Sequence, residues 1–251
     1  MNVLVTGGGR GIGRAIALAF AEPGSTVAIA ARTRTELDDT ARAVAARGAR
    51  PVVAAVDIMD EDAVVHAFAA IRAVTPTLDV LVNNAGVGGG DPIDRSDTVS
   101  WRRILDTNVL GTYLVTRQAV AILSDGGRVI NMSSVLGRFG VAGYTAYCAS
   151  KHAVIGFTRA LALELVNRGI TVNAICPGWV ETAMAAKGMQ GGAKATGITV
   201  EEFRAQAIGA VPIGRIIAPD EVANLVKFLA SPLAAAITGQ TYNICGGQTM
   251  D

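Results

Sequence analysis

The sequence predicts an α/β fold: a single domain on a doubly wound, parallel, seven-stranded sheet with helices on both faces. Three observations carry this expectation. Hydrophobic residues make up 51% of the 251 residues and charged residues only 17%, which suits strands buried on both sides. Short apolar runs alternate with helical stretches from end to end, the pattern of a parallel sheet. No break in composition and no repeat divides the chain, so 1–251 reads as one unit.

The elements follow in order. Val3–Val5 is the first apolar run; a glycine-rich turn and a helix over Ile12–Ala21 come next. Val27–Ala30 precedes a helix over Thr35–Arg47, and Val52–Val56 precedes one over Glu61–Ala73. Val80–Val82 leads to a long helix over Trp101–Leu123. Val129–Met132 leads to another over Ala146–Asn167, and Val172–Ile175, Pro219–Leu229 and Tyr242–Ile244 complete the alternation. The stretch from Glu181 to Ala210 departs from this rhythm. It is rich in Gly, Ala and Met, with Gly191-Gly192 at its middle, and reads as a lid insertion with a flexible first half. Its second half, "TVEEFRAQA", looks helical, with Thr199 as cap and Glu202 three residues on.

Several function classes are excluded. A formal net charge of +1 gives no electrostatic case for nucleic acid or an anionic membrane. No apolar run has the length of a membrane span, and "MNVLVTGGGRG" lacks the parts of a signal peptide. Cys148, Cys176 and Cys245 are scattered and odd in number, as in a reduced, cytoplasmic protein. His66 and His152 stand far apart, and no H-x-x-x-H or C-x-x-C spacing offers a metal site. No G-x-S-x-G supports a serine hydrolase.

Two short stretches point to chemistry. The first strand runs into Thr6-Gly7-Gly8-Gly9-Arg10-Gly11-Ile12-Gly13 and then a helix. Glycines there let a backbone approach a pyrophosphate, and the helix start offers free N–H groups and a positive dipole end. In "GYTAYCASKHAV", Lys151 lies four residues after Tyr147, on the same helix face, whereas Tyr144 is two turns from it. A close ammonium favours a phenolate and should draw the Tyr147 pKa down.

T-G-x-x-x-G-x-G, N-N-A-G at Asn83–Gly86, a serine thirteen residues before Tyr147, Y-x-x-x-K, and P-G after the sixth strand occur in register. Together they resemble the classical short-chain dehydrogenase/reductase family across the whole chain, and imply its Rossmann-type domain. The resemblance implies roles residue by residue. Tyr147 is the catalytic acid/base, Lys151 tunes it and holds the nicotinamide ribose, and Ser134 steadies the substrate oxygen. Ser133 is passed over because the thirteen-residue offset selects Ser134. Asn108 holds a relay water, the alternative being a polar helix residue bonding backbone. For the cofactor, Gly7, Gly9, Arg10, Gly11, Ile12 and Gly13 form the phosphate loop, and Asn83, Ala85 and Gly86 line the adenosine ribose and phosphate face. Asp57 and Ile58 meet the adenine, although Asp57 could equally cap the next helix. Pro177, Gly178, Val180 and Thr182 orient the nicotinamide amide.

The second strand ends Ala30-Ala31-Arg32-Thr33 without the acid that would bond a ribose 2′-OH. Arg32 offers a phosphate a bidentate partner instead, and Arg10 could add a second charge. NADP(H) is therefore preferred, with NAD(H) allowed. The carboxyl third resembles bacterial ketoreductases of aromatic polyketide biosynthesis, through "YCASKHAVIGFTRALALEL", "ITVNAICPGWVETAMAA", "VPIGR", "PDEVA" and "YNICGG". The "AGVGGGDP" loop is similar to their substrate loop, with Val87-Gly88 where a proline is expected. The implied reaction is NADPH-linked reduction of an oxoacyl or polyketide-like ketone, free or carrier-bound, to a secondary alcohol. Met184 and Met189 would give adaptable contact to that substrate. An oxidative alcohol or sugar dehydrogenase is the alternative, and a non-catalytic nucleotide-binding regulator a third. The helix from Ala146 carries Ala149, Ala153, Gly156 and Ala160 widely around its surface, so more than one side is covered. With the apolar tail "YNICGGQTMD", this matches the family's homotetramer.

Overall fold

The structure is a computed structural model that describes residues 1–250; Asp251, the last residue of the apolar tail, lies outside the described residues. The strands are β1 (Asn2–Thr6), β2 (Thr26–Ala31), β3 (Arg50–Ala55), β4 (Leu78–Asn83), β5 (Leu123–Met132), β6 (Thr171–Pro177) and β7 (Thr241–Ile244). They form one sheet in the order β3-β2-β1-β4-β5-β6-β7, every pair parallel. The winding reverses between β1 and β4, and ligands bind at the strand ends beside such a reversal.

Strand side chains alternate between faces, so each strand feeds two apolar layers. Val3 and Val5 join a layer closed by α1 (Gly11–Ala19), α2 (Arg34–Ala45) and α9 (Pro219–Leu229), through Ile16, Leu37, Val226 and Leu229. Leu4 points to the opposite layer, closed by α3 (Glu61–Val74), α5 (Gly111–Val120) and α6 (Thr145–Leu165) through Phe68, Val115 and Leu161.

Two expectations need correction. The stretch Trp101–Leu123 is not one helix. It divides into α4 (Thr98–Leu105), a π turn over Asp106–Leu110, and α5, and Leu123 already belongs to β5. Thr107 and Thr112 hydroxyls donate to the carbonyls four residues back, satisfying backbone where the helix widens. The second correction concerns the glycine-rich lid. Its first half is the helix α7 (Ala183–Thr196), followed by α8 (Val200–Gly209). Thr182 caps α7, whose end is a left-handed Gly197 at φ +72°, and Thr199 with Glu202 forms the expected capping box on α8. Gly192 serves proximity rather than freedom: a Cβ there would fall 2.2 Å from the Phe203 ring of α8.

Candidate active site and nucleotide cleft

The glycine turn is built by long-range bonds that a linear reading cannot show. Thr6 accepts the Asn84 and Ala85 amides at its hydroxyl, both at 3.0 Å, and its carbonyl accepts the Asn84 carboxamide at 2.9 Å. These bonds lock the end of β1 to the loop after β4. A Cβ at Gly13 would lie 2.1 Å from the Gly7 carbonyl oxygen, and Gly7 itself has φ +66°. Neither position admits another residue without moving backbone. Helix α1 begins behind this turn with Arg10 as cap, no side chain on its N–H groups and no acid in its first turn. Its amides and dipole end are free for an anion, so the cradle fits a dinucleotide pyrophosphate. Gly11 faces Thr182 across the cleft, 3.3 Å from a Cβ on the glycine to the threonine methyl. The turn and the segment after β6 thus meet although 171 residues separate them in sequence.

At the adenosine end, Arg32 is exposed and lies 3.8 Å from the Asp57 carboxylate, while Arg10 lies 3.3 Å from Glu36. Thr33 occupies the N-cap of α2 without a side-chain bond. Asp57 does not cap α3: it accepts the Met59 amide at 3.1 Å, and Asp60 makes the cap. The Ile58 side chain is buried against Gly111 at the start of α5. Asn83 also departs from expectation. Its side chain turns inward, donating to Thr116 and Asn131 at 2.8 Å each, and it is 4% exposed. The amides that close the cleft come from Asn84 and Ala85 instead.

Ser134 follows β5 directly, while Tyr147 and Lys151 stand one turn apart on α6. Ser134 draws the Tyr147 phenol down, but burial outweighs that pull and pushes it up to about 12. Part of Tyr147 also reaches the surface. Lys151 is buried, donates to the Met132 carbonyl at 2.8 Å and holds its nitrogen 5.7 Å from the centre of the Tyr147 ring. Burial brings its own pKa down to about 8. The expectation that Lys151 draws Tyr147 below its ordinary value is therefore reversed here: desolvation penalises both charged forms, and it wins.

Asn108 sits on the π turn and is 1% exposed. Its carboxamide accepts the Val87 amide at 2.8 Å and donates to the Val87 carbonyl and the Ser150 hydroxyl, each at 3.0 Å. Ser150 in turn donates to the Tyr147 carbonyl at 2.8 Å. The side chain thus ties the loop at Val87 to the tyrosine's helix turn. Gly86 lies between the Asn108 oxygen and the Lys151 nitrogen, 3.1 and 3.5 Å from an added Cβ.

On the substrate side, a Cβ at Gly88 would stand 3.9 Å from both the Met184 sulfur and Cε2 of Tyr147. Met184 is exposed there, on the first turn of α7. Met189 is not: it is 2% exposed, because five positions along α7 turn a side chain to the far face. Pro177 and Val180 are buried, and Val180 pairs with Ile217. Thr182 is committed on both sides, donating to the Val180 carbonyl and accepting the Ala185 amide at 3.2 Å each.

Sequence reasoning passed over Thr6, Asn84, Ser133 and Ser150. Each lies inside or beside a quoted motif, but only its partner across the fold reveals its use. Among the described residues, no group of three His, Cys, Asp or Glu side chains could hold a metal, and no helix is long and apolar enough to cross a membrane.

A family model described as enoyl-(acyl carrier protein) reductase matches residues 7–249. The "Monensin polyketide synthase putative ketoacyl reductase" of Streptomyces virginiae is 42% identical over 252 residues, 97% of this chain and 95% of that protein. A solved actinorhodin polyketide ketoreductase with NADPH superposes at a TM-score of 0.92 with 38% identity, over 98% of this chain and 96% of that one. An NAD+-bound xylitol dehydrogenase superposes at 0.93 with 30% identity, over 98% of each chain.

Proposed function

The chain belongs to the short-chain dehydrogenase/reductase family, oxidoreductases that interconvert ketones and secondary alcohols, and from that premise we propose that it is an NADPH-dependent ketoreductase of oxoacyl or polyketide-like substrates. The observation that carries the reductive reading is Tyr147 one turn from Lys151 on α6, its ring 5.7 Å from the ammonium, with burial holding the phenol up to about 12. Such a phenol stays protonated through the physiological range, as a proton donor to a ketone must. The alkoxide it serves is a far stronger base, so the transfer still runs downhill.

The glycine turn, the free start of α1, Arg32 and Arg10 would hold NADPH, with Gly178 and Thr182 beside its nicotinamide. When bound, NADPH supplies the hydride. The chain supplies the rest. Ser134 donates a hydrogen bond to the ketone oxygen and stabilises the charge that grows there. Tyr147 gives up its proton to that oxygen. Lys151, still mostly charged at pH 7 with a pKa of about 8, offsets the phenolate left behind. Asn108 holds the Val87 loop against the Tyr147 turn. Arg32 and Arg10 select the 2′-phosphate, each exchanging a surface carboxylate for it. Met184 and Gly88 bound the ketone, and the α7–α8 hairpin covers it as a lid.

The functional unit is a homotetramer. Leu110 and Tyr113 around α5, and Leu163 on α6, are large apolar side chains left exposed on the single chain, and such a surface suits burial between copies. Three unpaired cysteines suit a reducing, cytoplasmic setting. The test of function is NADPH consumption against a panel of ketones, free and carrier-bound, beside NAD+ reduction with alcohols and sugar alcohols. Faster turnover in the second arm would favour the oxidative reading, which the likeness to xylitol dehydrogenase supports.

A further inference from the structure

We infer that Ser133, the serine next to the proposed substrate-binding serine, is a positioning residue that sets the distance between Ser134 and Tyr147. Residues 132 and 133 grip Lys151 at two points. The Lys151 ammonium donates to the Met132 carbonyl at 2.8 Å, and the Lys151 backbone carbonyl accepts the Ser133 hydroxyl, also at 2.8 Å. Ser133 is anchored to the sheet as well, through its amide to the Ile175 carbonyl at 2.8 Å. It is 4% exposed, so its bond to α6 is made away from water and does not compete with solvent.

The consequence is geometric. Ser134 continues the chain from the gripped residue, and Tyr147 stands one turn before Lys151 on α6. With the end of β5 and this turn of α6 clamped together, the Ser134 and Tyr147 oxygens have little room to separate. Space for the clamp is made by Gly137. A Cβ there would fall 2.5 Å from the Ser133 oxygen and 2.9 Å from the Lys151 carbonyl oxygen. Arg138 then pins the far end of the same loop, donating to the Thr241 carbonyl at 2.8 Å and to Asn243 at 3.3 Å.

This inference rests on the reading of Ser134 and Tyr147 as the reacting pair. The experiment compares Ser133→Ala, Ser133→Cys and Gly137→Ala with the parent in ketone reduction and in alcohol oxidation across pH, with Tyr147→Phe as control. Ser133→Ala is expected to lower kcat about tenfold with the NADPH KM unchanged. Its oxidative pH–rate limb should move to higher pH, because the Ser134 hydroxyl that draws Tyr147 down would stand farther from it. Gly137→Ala should show the same signature, and Ser133→Cys, which keeps a weak donor, should fall between. Losses of kcat that only follow lost thermal stability, with the pH limb unmoved in all three variants, would reduce Ser133 to a packing residue and overturn the inference. So would a Ser133→Ala enzyme within twofold of the parent. Full turnover in Tyr147→Phe would overturn the underlying reading, whatever Ser133→Ala does.

Discussion

Replacing Arg32 by alanine should convert cofactor preference while leaving the fold alone. In the structure the guanidinium is 61% exposed by side chain and 3.8 Å from Asp57. A surface pair of that kind contributes about 0–1 kcal/mol, so its loss should move Tm by no more than about 4 °C in a chain of this size. The 2′-phosphate should lose more. A hydrogen bond to a charged group contributes roughly 1.5–3 kcal/mol, which at about 1.4 kcal/mol per decade is a roughly ten- to hundredfold rise in the NADPH dissociation constant. NADH, which carries no 2′-phosphate, should change less than about twofold by the same reasoning. The assay is fluorescence titration of both cofactors against parent and variant at two ionic strengths. The parent's preference for NADPH should shrink in the higher salt, since exposed charges are screened over about 10 Å at 0.1 M. Equal weakening of both cofactors would leave Arg32 a structural role only, and an unchanged NADPH constant would pass phosphate selection to Arg10.

Four further outcomes are expected. Tyr147→Phe should abolish turnover while NADPH still binds, and Tyr144→Phe should keep most activity; steady-state rates with titrated NADPH decide between the two tyrosines. Lys151 has a folded pKa of about 8 against an ordinary 10.5, so the unfolded chain binds more protons between those values. Its contribution therefore grows as pH rises through that window and is lost as pH falls through about 8; Lys151→Met should flatten this slope in urea unfolding curves. Gly192→Ala must displace the Phe203 ring, which typically costs about 1–3 kcal/mol. It should raise hydrogen exchange across residues 183–209 and alter the ketone profile with NADPH affinity intact. Light scattering in dilute buffer should give a tetramer mass, and a monomer would refute the proposed assembly.

The order and kind of the strands were legible in the sequence, because a strand buried on both faces must read as an apolar run wherever it lies. Val3–Val5, Val80–Val82 and Val172–Ile175 each fall inside β1, β4 and β6. The glycine spacing and the Tyr147–Lys151 interval were equally legible, since both are local requirements of backbone and helix geometry. The tertiary structure decided what no local pattern contains. Asn83 turns to Thr116 and Asn131, whereas the adjacent Asn84 braces the glycine turn. Met184 is exposed beside Gly88 and Met189 is buried, although composition treats them alike. The glycines between 181 and 210 signalled freedom by composition, but Gly192 admits a neighbouring ring in a helix pair. The Tyr147 pKa reversed for the same reason. Spacing reports how near a charge lies, but desolvation depends on everything packed around the hydroxyl, and only the assembled fold sets that.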